Sequence, residues 1–245
     1  MVKIDLITGF LGSGKTTFIK KYAKYLMEQG MNIGILENDF GAVNVDMMLL
    51  KDLEGDQCEL EMVAGGCDAD CHRRRFKTKL IAMGMCGYDR VIVEPSGIFD
   101  VDEFFDALRE EPLDQWYEIG SVITIMNAKL EDTLSDEAEY LLASEAANAG
   151  CIVLSRSQDA SPEEIAKTRA HLNCALQAVH CSRQFGDEII EKNWEDFTEQ
   201  DLERIQNSGY HVEDYTKLHF PEKERFQSVC VMNQEMTRQE LEKKV

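Results

Sequence analysis

The sequence contains no apolar run long enough to cross a membrane. Its longest apolar runs, such as residues 122–126, have the length of a strand, whereas a membrane-spanning helix needs about 20 predominantly apolar residues. The first residues also lack the basic, apolar and small-residue pattern of a secretory signal peptide. We therefore expect a cytoplasmic protein that has no membrane partner.

Basic residues are scarce as well. The 26 Lys and Arg residues stand against 46 Asp and Glu residues, which leaves a formal net charge of -20. The one basic cluster, Arg73–Arg75 with Lys77 and Lys79, is too short to offset this excess. Because nucleic-acid phosphates are bound mainly by Lys and Arg side chains, the charge argues against DNA or RNA as the main partner.

Disulfide bonds are not expected, although the chain has eight cysteines. Without a secretion signal, cysteines are better interpreted as thiols than as a disulfide framework. Cys151, Cys174 and Cys230 are isolated in the sequence, and isolated cysteines usually behave as small buried apolar groups. Cys67 and Cys71 are different, because aspartates and His72 lie beside them.

The strongest motif is the segment GFLGSGKT at residues 9–16, directly after the apolar run 4–8. Glycines let the backbone direct successive N–H groups at phosphate oxygens, and the helix that follows adds a partial positive charge. Lys15 is placed to reach the β and γ phosphates, and the Thr16 hydroxyl to coordinate Mg²⁺. The predicted phosphate-binding residues are Gly9, Gly12, Ser13, Gly14, Lys15, Thr16 and Thr17.

Strand and helix patterns alternate along most of the chain. Strands are predicted at 4–8, 32–36, 60–63, 90–94, 121–126 and 151–154, and helices at 16–29, 73–85, 102–109, 130–149 and from 161. This alternation predicts an α/β fold with a largely parallel sheet and helices on both faces. We expect a nucleotide-binding domain at residues 1–192 and a short, truncated C-terminal appendage at 193–245, with a strand at 227–232 and a terminal helix.

A second motif follows the strand at 90–94, which ends on Glu94, with Gly97 three residues later. In nucleotide hydrolases such an acid holds a Mg²⁺-bound or attacking water, and the glycine N–H contacts the γ phosphate. A buried strand that merely ends on a surface acid has the same pattern. Together with the phosphate-binding loop, the pattern favours a hydrolysis and switch element in which Lys15, Glu94 and Gly97 are catalytic.

Several ordered segments resemble the CobW-like family of P-loop GTPases, which is related to the GTPases that insert nickel into urease and hydrogenase. They are residues 8–17, 38–41 with Asp46, 65–67 and 94–97. The likeness covers about residues 1–160, and residues 226–245 are similar to the opening strand and helix of the family's C-terminal domain. The resemblance implies a P-loop NTPase fold.

The resemblance also implies a function. A family member binds GTP with Mg²⁺ and couples hydrolysis to delivery of zinc, cobalt, nickel or a metallocofactor to a client metalloprotein. Thr16 would bind Mg²⁺ and Glu94 would position the water, while Asp39, Ser96 and Gly97 would form the switches. A nucleotide-dependent homodimer is a further expectation.

This sequence departs from the C-x-C-C motif through which the family binds metal. It has CDADCH at residues 67–72, so only Cys67 matches by position and Cys71 is displaced. Two thiolates and the His72 imidazole still suit Zn²⁺ or Co²⁺, and Asp39 can add an oxygen ligand. The alternative is that Cys67 and Cys71 are bystander thiols in a polar loop.

The second departure concerns the base. The family recognises guanine through N-K-x-D, and this chain has Ser155, Arg156, Ser157 and Gln158 after the corresponding strand. The aspartate of N-K-x-D accepts two hydrogen bonds from the guanine ring, whereas the Gln158 amide offers one acceptor and one donor. The double contact is therefore lost unless Asp159 takes the place of Gln158. Losing a charged hydrogen-bond partner costs about 1.5 to 3 kcal/mol. Ser155, Arg156 and Gln158 are therefore the predicted base-side contacts, and the choice between GTP and ATP stays open.

The motifs together predict a nucleotide hydrolase for GTP that delivers a metal or metallocofactor. Turnover should be slow without a partner, because no arginine finger is identifiable in the sequence. One alternative is a nucleotide-dependent module that regulates or reactivates a partner protein without metal. Another is a small-molecule kinase in which Arg73–Arg75 bind the phosphate of the acceptor.

Overall fold

The computed structural model describes residues 1–39, 45–64, 69–95, 101–131 and 133–218. The strands are β1 (Val2–Thr8), β2 (Ile33–Asp39), β3 (Cys58–Ala64), β4 (Arg90–Pro95), β5 (Tyr117–Asn127), β6 (Cys151–Ser155) and β7 (Ile189–Ile190). The helices are α1 (Lys15–Glu28), α2 (Val45–Leu50), α3 (Ala69–Gly84), α4 (Val101–Arg109), α5 (Leu113–Trp116), α6 (Asp136–Ala147), α7 (Pro162–Ala178) and α8 (Glu199–Gln206). Short 3₁₀ turns lie at Lys51–Leu53, Ser157–Asp159 and Trp194–Asp196.

The strands form a seven-stranded sheet in the order β3-β2-β4-β1-β5-β6-β7. All its paired neighbours run parallel. Parallel strands are buried on both faces, which explains why β4 and β6 are apolar runs without alternation. The predicted α/β fold with a largely parallel sheet is confirmed, and β1 lies between β4 and β5, so the loop after β1 emerges at the carboxyl edge beside the end of β4.

Two apolar clusters cover the two faces of the sheet. One packs side chains of α3, α4, α6 and α7 on the sheet, among them Phe76, Phe104, Leu142 and Leu172. The other packs α1, α2 and α8, among them Phe18, Leu50 and Leu202. Burying each such side chain contributes about 1.5 to 3 kcal/mol. The prediction of helices on both faces is therefore confirmed.

The α1 side of the sheet also buries an ion pair. Nη1 of Arg90 lies 2.7 and 2.6 Å from the two carboxylate oxygens of Asp5. The Tyr22 hydroxyl and the N–H of Ser121 donate to the same carboxylate, each at 2.8 Å. Burial raises the pKa of Asp5, and these three partners oppose that shift. We call Asp5, Tyr22, Arg90 and Ser121 the core pair network.

Some boundaries differ from those predicted. Helix α6 begins at Asp136 and not at 130, β5 begins at Tyr117 and not at 121, and α3 begins at Ala69 and not at Arg73. The start of α7 is as predicted, because Ser161 and Glu164 form a capping box. Strand β7 and helices α2 and α5 were not predicted, since segments of two to six residues carry too little periodicity.

The expected burial of isolated cysteines holds for Cys151 but is wrong for Cys174, which is exposed on α7. Burial raises the pKa of the Cys151 thiol to about 11. The strand predicted at 227–232 and the terminal helix lie outside the described residues. No helix in the described ranges has the length and apolar character needed to span a membrane.

Candidate nucleotide-binding site

The loop between β1 and α1 adopts a backbone that only glycine accepts easily. Gly9 has φ 134° and Gly14 has φ 102°, values that side chains rarely adopt. A Cβ on Gly9 would lie 2.2 Å from the carbonyl oxygen of Ile125, so the loop and β5 approach too closely for any other residue. The backbone of Gly14 leads into α1, whose N-terminal N–H groups carry the partial positive charge that favours an anion.

Lys15 is buried and folded back onto this loop. Its Nζ donates to the carbonyl oxygens of Gly9 at 2.9 Å and Phe10 at 3.2 Å. The same Nζ lies 3.8 Å from Oε1 of Glu94, which is also buried. The fold therefore brings together Lys15 and Glu94, the two predicted catalytic residues that lie among the described residues. A bound phosphate oxygen can replace the carbonyl oxygens as acceptor for this ammonium.

The other predicted phosphate-binding residues surround the start of α1. Ser13 is buried, Thr16 is half-buried and Thr17 is exposed. Within the described ranges, Oγ of Ser13 has no hydrogen-bond partner. A hydroxyl left in this position can donate to a ligand in the loop. Gly97 and Ser96 lie outside the described residues, so their predicted roles remain predictions.

Glu145 is a site residue that the sequence did not predict. It lies on α6 and is buried. Burial raises the pKa of this carboxyl to about 7, while Lys15 and the Gly9 N–H act in the opposite direction. An acid inside an apolar helix pattern was its only signal in the sequence.

The predicted base-side residues lie beside the loop. Arg156 has φ 56°, and its Nη2 donates to the carbonyl oxygen of Gly12 at 3.2 Å. Gln158 is exposed, and its side-chain amide donates to Asp159 at 3.4 Å. Ser155 is buried at the end of β6. The structure therefore brings Arg156 into contact with the phosphate-binding loop and places Ser155 next to Gly14.

Trp194 is a second residue that the sequence did not predict. Its indole Nε1 donates to the carbonyl oxygen of Leu154 at 2.8 Å, and its ring meets Phe18 edge-on with centroids 5.7 Å apart. A Cβ on Gly14 would lie 3.3 Å from this ring. Trp194 therefore supports both the loop and the end of β6. Its only signal was that it is one of two tryptophans in the chain.

The predicted metal ligands are only partly covered by the structure. Cys67 and the side chain of Asp39 are not among the parts of the chain that the structure describes. Cys71 is half-buried and His72 is buried in the first turns of α3. Consecutive residues on a helix do not face each other, so these two side chains diverge. Among the side chains that the structure describes, no three of His, Cys, Asp or Glu are arranged to hold a metal.

A buried acid lies next to Glu94 at the carboxyl edge of the sheet. Glu37 on β2 is the register partner of Glu94 on β4, and both are buried. The backbone of Asp39 ends the same strand β2. In the sequence Glu37 was only a polar residue after an apolar strand. The pairing of β2 with β4 makes it a further candidate oxygen ligand.

Comparison with known proteins gives consistent matches. The family described as CobW/HypB/UreG, nucleotide-binding domain, matches residues 3–184. The zinc chaperone YeiR of Escherichia coli strain K12 is 29% identical over 164 residues, covering 66% of this chain and 49% of YeiR. The zinc chaperone YjiA of the same strain is 31% identical over 139 residues, covering 52% of this chain and 41% of YjiA.

The fold of the chain is also similar to solved structures. The hydrogenase maturation factor HypB from Archaeoglobus fulgidus superposes with a TM-score of 0.52 at 17% identity, covering 83% of this chain and 86% of HypB. At this identity the likeness concerns the fold alone. The chain spans about half the length of the curated relatives it matches.

Proposed function

Because the chain belongs to the CobW/HypB/UreG family of nucleotide-binding domains, we propose that it is a GTP hydrolase that couples nucleotide turnover to metal delivery. The family that the motifs resemble is thus confirmed. The observation that supports hydrolysis is the juxtaposition of Lys15 with the loop carbonyls and with Glu94, 3.8 Å away. A cation and an acid at one loop provide a phosphate contact and a group that can position water.

The roles that we propose for the remaining residues are those that the resemblance to the family implies. Thr16, in the first turn of α1, would hold Mg²⁺, which supplies charge neutralisation at the phosphates when bound. Glu94 would orient the attacking water, and Lys15 would stabilise the charge on the phosphates. Asp39, Ser96 and Gly97 remain the proposed switch residues. Slow turnover without a partner also remains a prediction.

Calorimetry with GTP and Mg²⁺ tests nucleotide binding. Lys15→Ala should lower the affinity by about 10- to 100-fold, because it removes a charge-assisted hydrogen bond to phosphate. Lys20→Ala is the matched control: Lys20 lies on the same helix but pairs with Asp52 at 2.6 Å. No heat with the wild-type protein, or equal affinities for the wild type and Lys15→Ala, contradicts the proposal.

Base preference is tested by the same measurement with GTP and ATP. Gln158 replaces the carboxylate that accepts two hydrogen bonds from guanine, while Arg156 still contacts the loop. Gln158→Asp should therefore raise the preference for GTP over ATP by about 10- to 100-fold. If the ratio of affinities does not change in this variant, Gln158 is not at the base position.

The metal part of the proposal is supported by the relatives and by the donor set. YeiR and YjiA are zinc chaperones, and we propose that this chain carries Zn²⁺ or Co²⁺ as cargo for a client metalloprotein. Cys67, Cys71, His72, Asp39 and Glu37 are the proposed ligands. Thiolate, imidazole and carboxylate groups suit such borderline-soft ions.

Equilibrium dialysis with Zn²⁺ and Co²⁺ tests the metal site. A Cys67→Ser/Cys71→Ser variant should lose binding, whereas Cys86→Ser/Cys174→Ser, which changes two exposed cysteines, should retain it. Equal binding by the wild type and by Cys67→Ser/Cys71→Ser contradicts the metal proposal. Four points remain predictions: the client protein, the homodimer, the cytoplasmic location and the domain boundary at residue 192.

The divergence of Cys71 and His72 on α3 favours a second candidate function. In that case the chain is a nucleotide-dependent regulator of a partner protein, and metal has no role. Dialysis without metal binding, together with nucleotide binding by calorimetry, would support this function. Metal binding that depends on Cys67 and Cys71 would contradict it.

A further inference from the structure

Three segments of the chain meet at the carboxyl edge of the sheet. One is the phosphate-binding loop after β1, and the second is residues 155–158 after β6, which we call the base-side segment. Strands β6 and β7 are parallel neighbours, so the turn at Trp194–Asp196, which follows β7, emerges at the same edge. This turn therefore lies beside both segments that the proposed nucleotide would contact.

The indole of Trp194 spans the gap between these two segments. Its Nε1 donates to the carbonyl oxygen of Leu154, the residue before the base-side segment, at 2.8 Å. A Cβ on Gly14 would lie 3.3 Å from Cη2 and 3.7 Å from Cζ3 of the same indole. The nitrogen belongs to the five-membered ring and the two carbons belong to the six-membered ring. The indole therefore contacts the end of β6 and the phosphate-binding loop with opposite parts of its ring system.

The side chain of Trp194 is held in place from several sides. Phe18 of α1 meets the ring edge-on, with the ring centroids 5.7 Å apart. The turn that carries the ring is closed by a hydrogen bond from the N–H of Asp196 to the carbonyl oxygen of Asn193 at 3.0 Å. Because the indole N–H is hydrogen-bonded as well, both the apolar body and the polar end of the side chain are fixed. Trp194 is thus a fixed spacer between the two segments.

A fixed spacer at this place matters for a ligand that has two ends. In the proposed function the triphosphate lies at Lys15 and the base lies near Arg156 and Gln158. The two ends are joined covalently, so both bind well only when the distance between the segments fits the nucleotide. A protein that holds this distance before binding loses less conformational entropy on binding. Arg156 also ties the segments, at 3.2 Å to Gly12, but its side chain is exposed, so the packed indole sets the distance more firmly.

We propose that Trp194 is a positioning residue for a purine nucleoside triphosphate: it fixes the distance between the phosphate-binding loop and the base-side segment, so that one ligand contacts both. The inference deepens the proposed nucleotide binding and rests on it. Trp194 acts through Gly14 and through the carbonyl group of Leu154. Its loss should therefore weaken a ligand that needs both segments more than a ligand that needs the loop alone.

Calorimetry with Mg²⁺ compares GTP with inorganic tripolyphosphate, which has no base and can contact the loop alone. Trp194→Phe keeps an aromatic ring but has no N–H and is too short to reach both segments. It should lower the affinity for GTP by about 3- to 10-fold and leave the affinity for tripolyphosphate unchanged. Lys15→Ala should lower both affinities. Trp116→Phe is the matched control and should change neither, because Trp116 ends α5 just before β5, at the opposite edge of the sheet.

Two results would overturn the inference. One is an equal affinity for GTP in the wild type and Trp194→Phe. The other is an equal loss of affinity for GTP and for tripolyphosphate in Trp194→Phe, which would mean that Trp194 only supports the loop. Both results leave the proposed function intact when GTP binds to the wild type and Lys15→Ala weakens that binding. If the wild type does not bind GTP, the proposed function fails as well.

If Trp194→Phe does not fold, the Trp116→Phe protein decides the question, because Trp194 is then its only tryptophan. GTP should reduce the acrylamide quenching of Trp194 fluorescence more than tripolyphosphate does, since only GTP contacts both segments. Equal quenching with the two ligands overturns the inference.

Discussion

Two buried charged clusters lie on the sheet, and they are built in opposite ways. In the core pair network, Asp5 accepts hydrogen bonds from Arg90, Tyr22 and the N–H of Ser121, all within 2.8 Å. At the loop, Lys15 donates to two carbonyl oxygens and lies 3.8 Å from Glu94. The first cluster is saturated by the protein itself, whereas the second keeps a cation whose acceptors a ligand can replace.

The difference shows where the fold uses buried charge for structure and where for binding. A buried ion pair is stable only when its hydrogen bonds are satisfied, since each ion has lost its water. The core pair network meets this condition between β1, β4, β5 and α1. At the loop, Lys15 instead donates to carbonyl oxygens that a ligand can replace, and burial raises the pKa of Glu145 to about 7. Substitutions in the two clusters should therefore have different consequences.

The largest effect is expected for Arg90→Met. It leaves the Asp5 carboxylate buried without its cation, which should lower the free energy of unfolding by about 3 to 5 kcal/mol. Urea denaturation measures the loss. The double variant Asp5→Leu/Arg90→Met should be more stable than Arg90→Met alone, because no uncompensated charge remains. A double variant as unstable as the single one contradicts the role of the network.

The next effect depends on pH and concerns Glu145→Gln. The folded pKa of about 7 lies above the usual 4.5, so the folded state keeps a proton that the unfolded chain has released. The stability that this proton represents is present below about pH 4.5 and lost as pH rises to about 7, by about 3 kcal/mol. Urea denaturation should show that the free energy of unfolding of Glu145→Gln, relative to that of the wild type, rises by this amount between pH 4.5 and 7.5. If the difference between the two proteins does not change over this range, the prediction is wrong.

Lys15→Met should have a smaller effect on stability than Arg90→Met. Both substitutions remove a buried cation, but Glu145 can become neutral after the loss of Lys15. We expect the free energy of unfolding to fall by about 1 to 2 kcal/mol at pH 7, within the usual range for single substitutions. Urea denaturation compares the two variants directly. If both variants lose the same free energy of unfolding, Lys15 contributes as much to stability as Arg90 does in the core pair network, and the proposed difference between the two clusters is wrong.

The smallest effect is expected for Tyr22→Phe. It removes one hydrogen bond of 2.8 Å to Asp5 while Arg90 and Ser121 still bind that carboxylate. The free energy of unfolding should fall by about 1 kcal/mol. Tyr25→Phe, on the same helix, is the control and should change the free energy of unfolding by only a few tenths of a kcal/mol. If the two variants differ by less than the error of denaturation, the hydroxyl of Tyr22 contributes nothing measurable.

Local patterns predicted most of the elements but not their lengths. The glycines of the loop and the capping box at Ser161 act over a few residues, so they can be found in the sequence. Strand β5 extends upstream to Tyr117 because it pairs with Val2 of β1. Strand β7 has two residues and exists through its pairing with β6. Such pairings depend on tertiary neighbours, and the sequence pattern does not contain them.

The candidate site likewise contains features that the sequence predicted and residues that only the structure revealed. The amino-acid sequence by itself determined the phosphate-binding loop, the parallel α/β architecture and the family, because these depend on contiguous motifs and on apolar periodicity. The tertiary structure alone buried Glu145 of α6 against Thr124 of β5 and placed Trp194 beside Gly14. Both residues come from parts of the chain that are distant from the loop in sequence, and only the packing of α6 and of the turn at Trp194–Asp196 against the sheet places them.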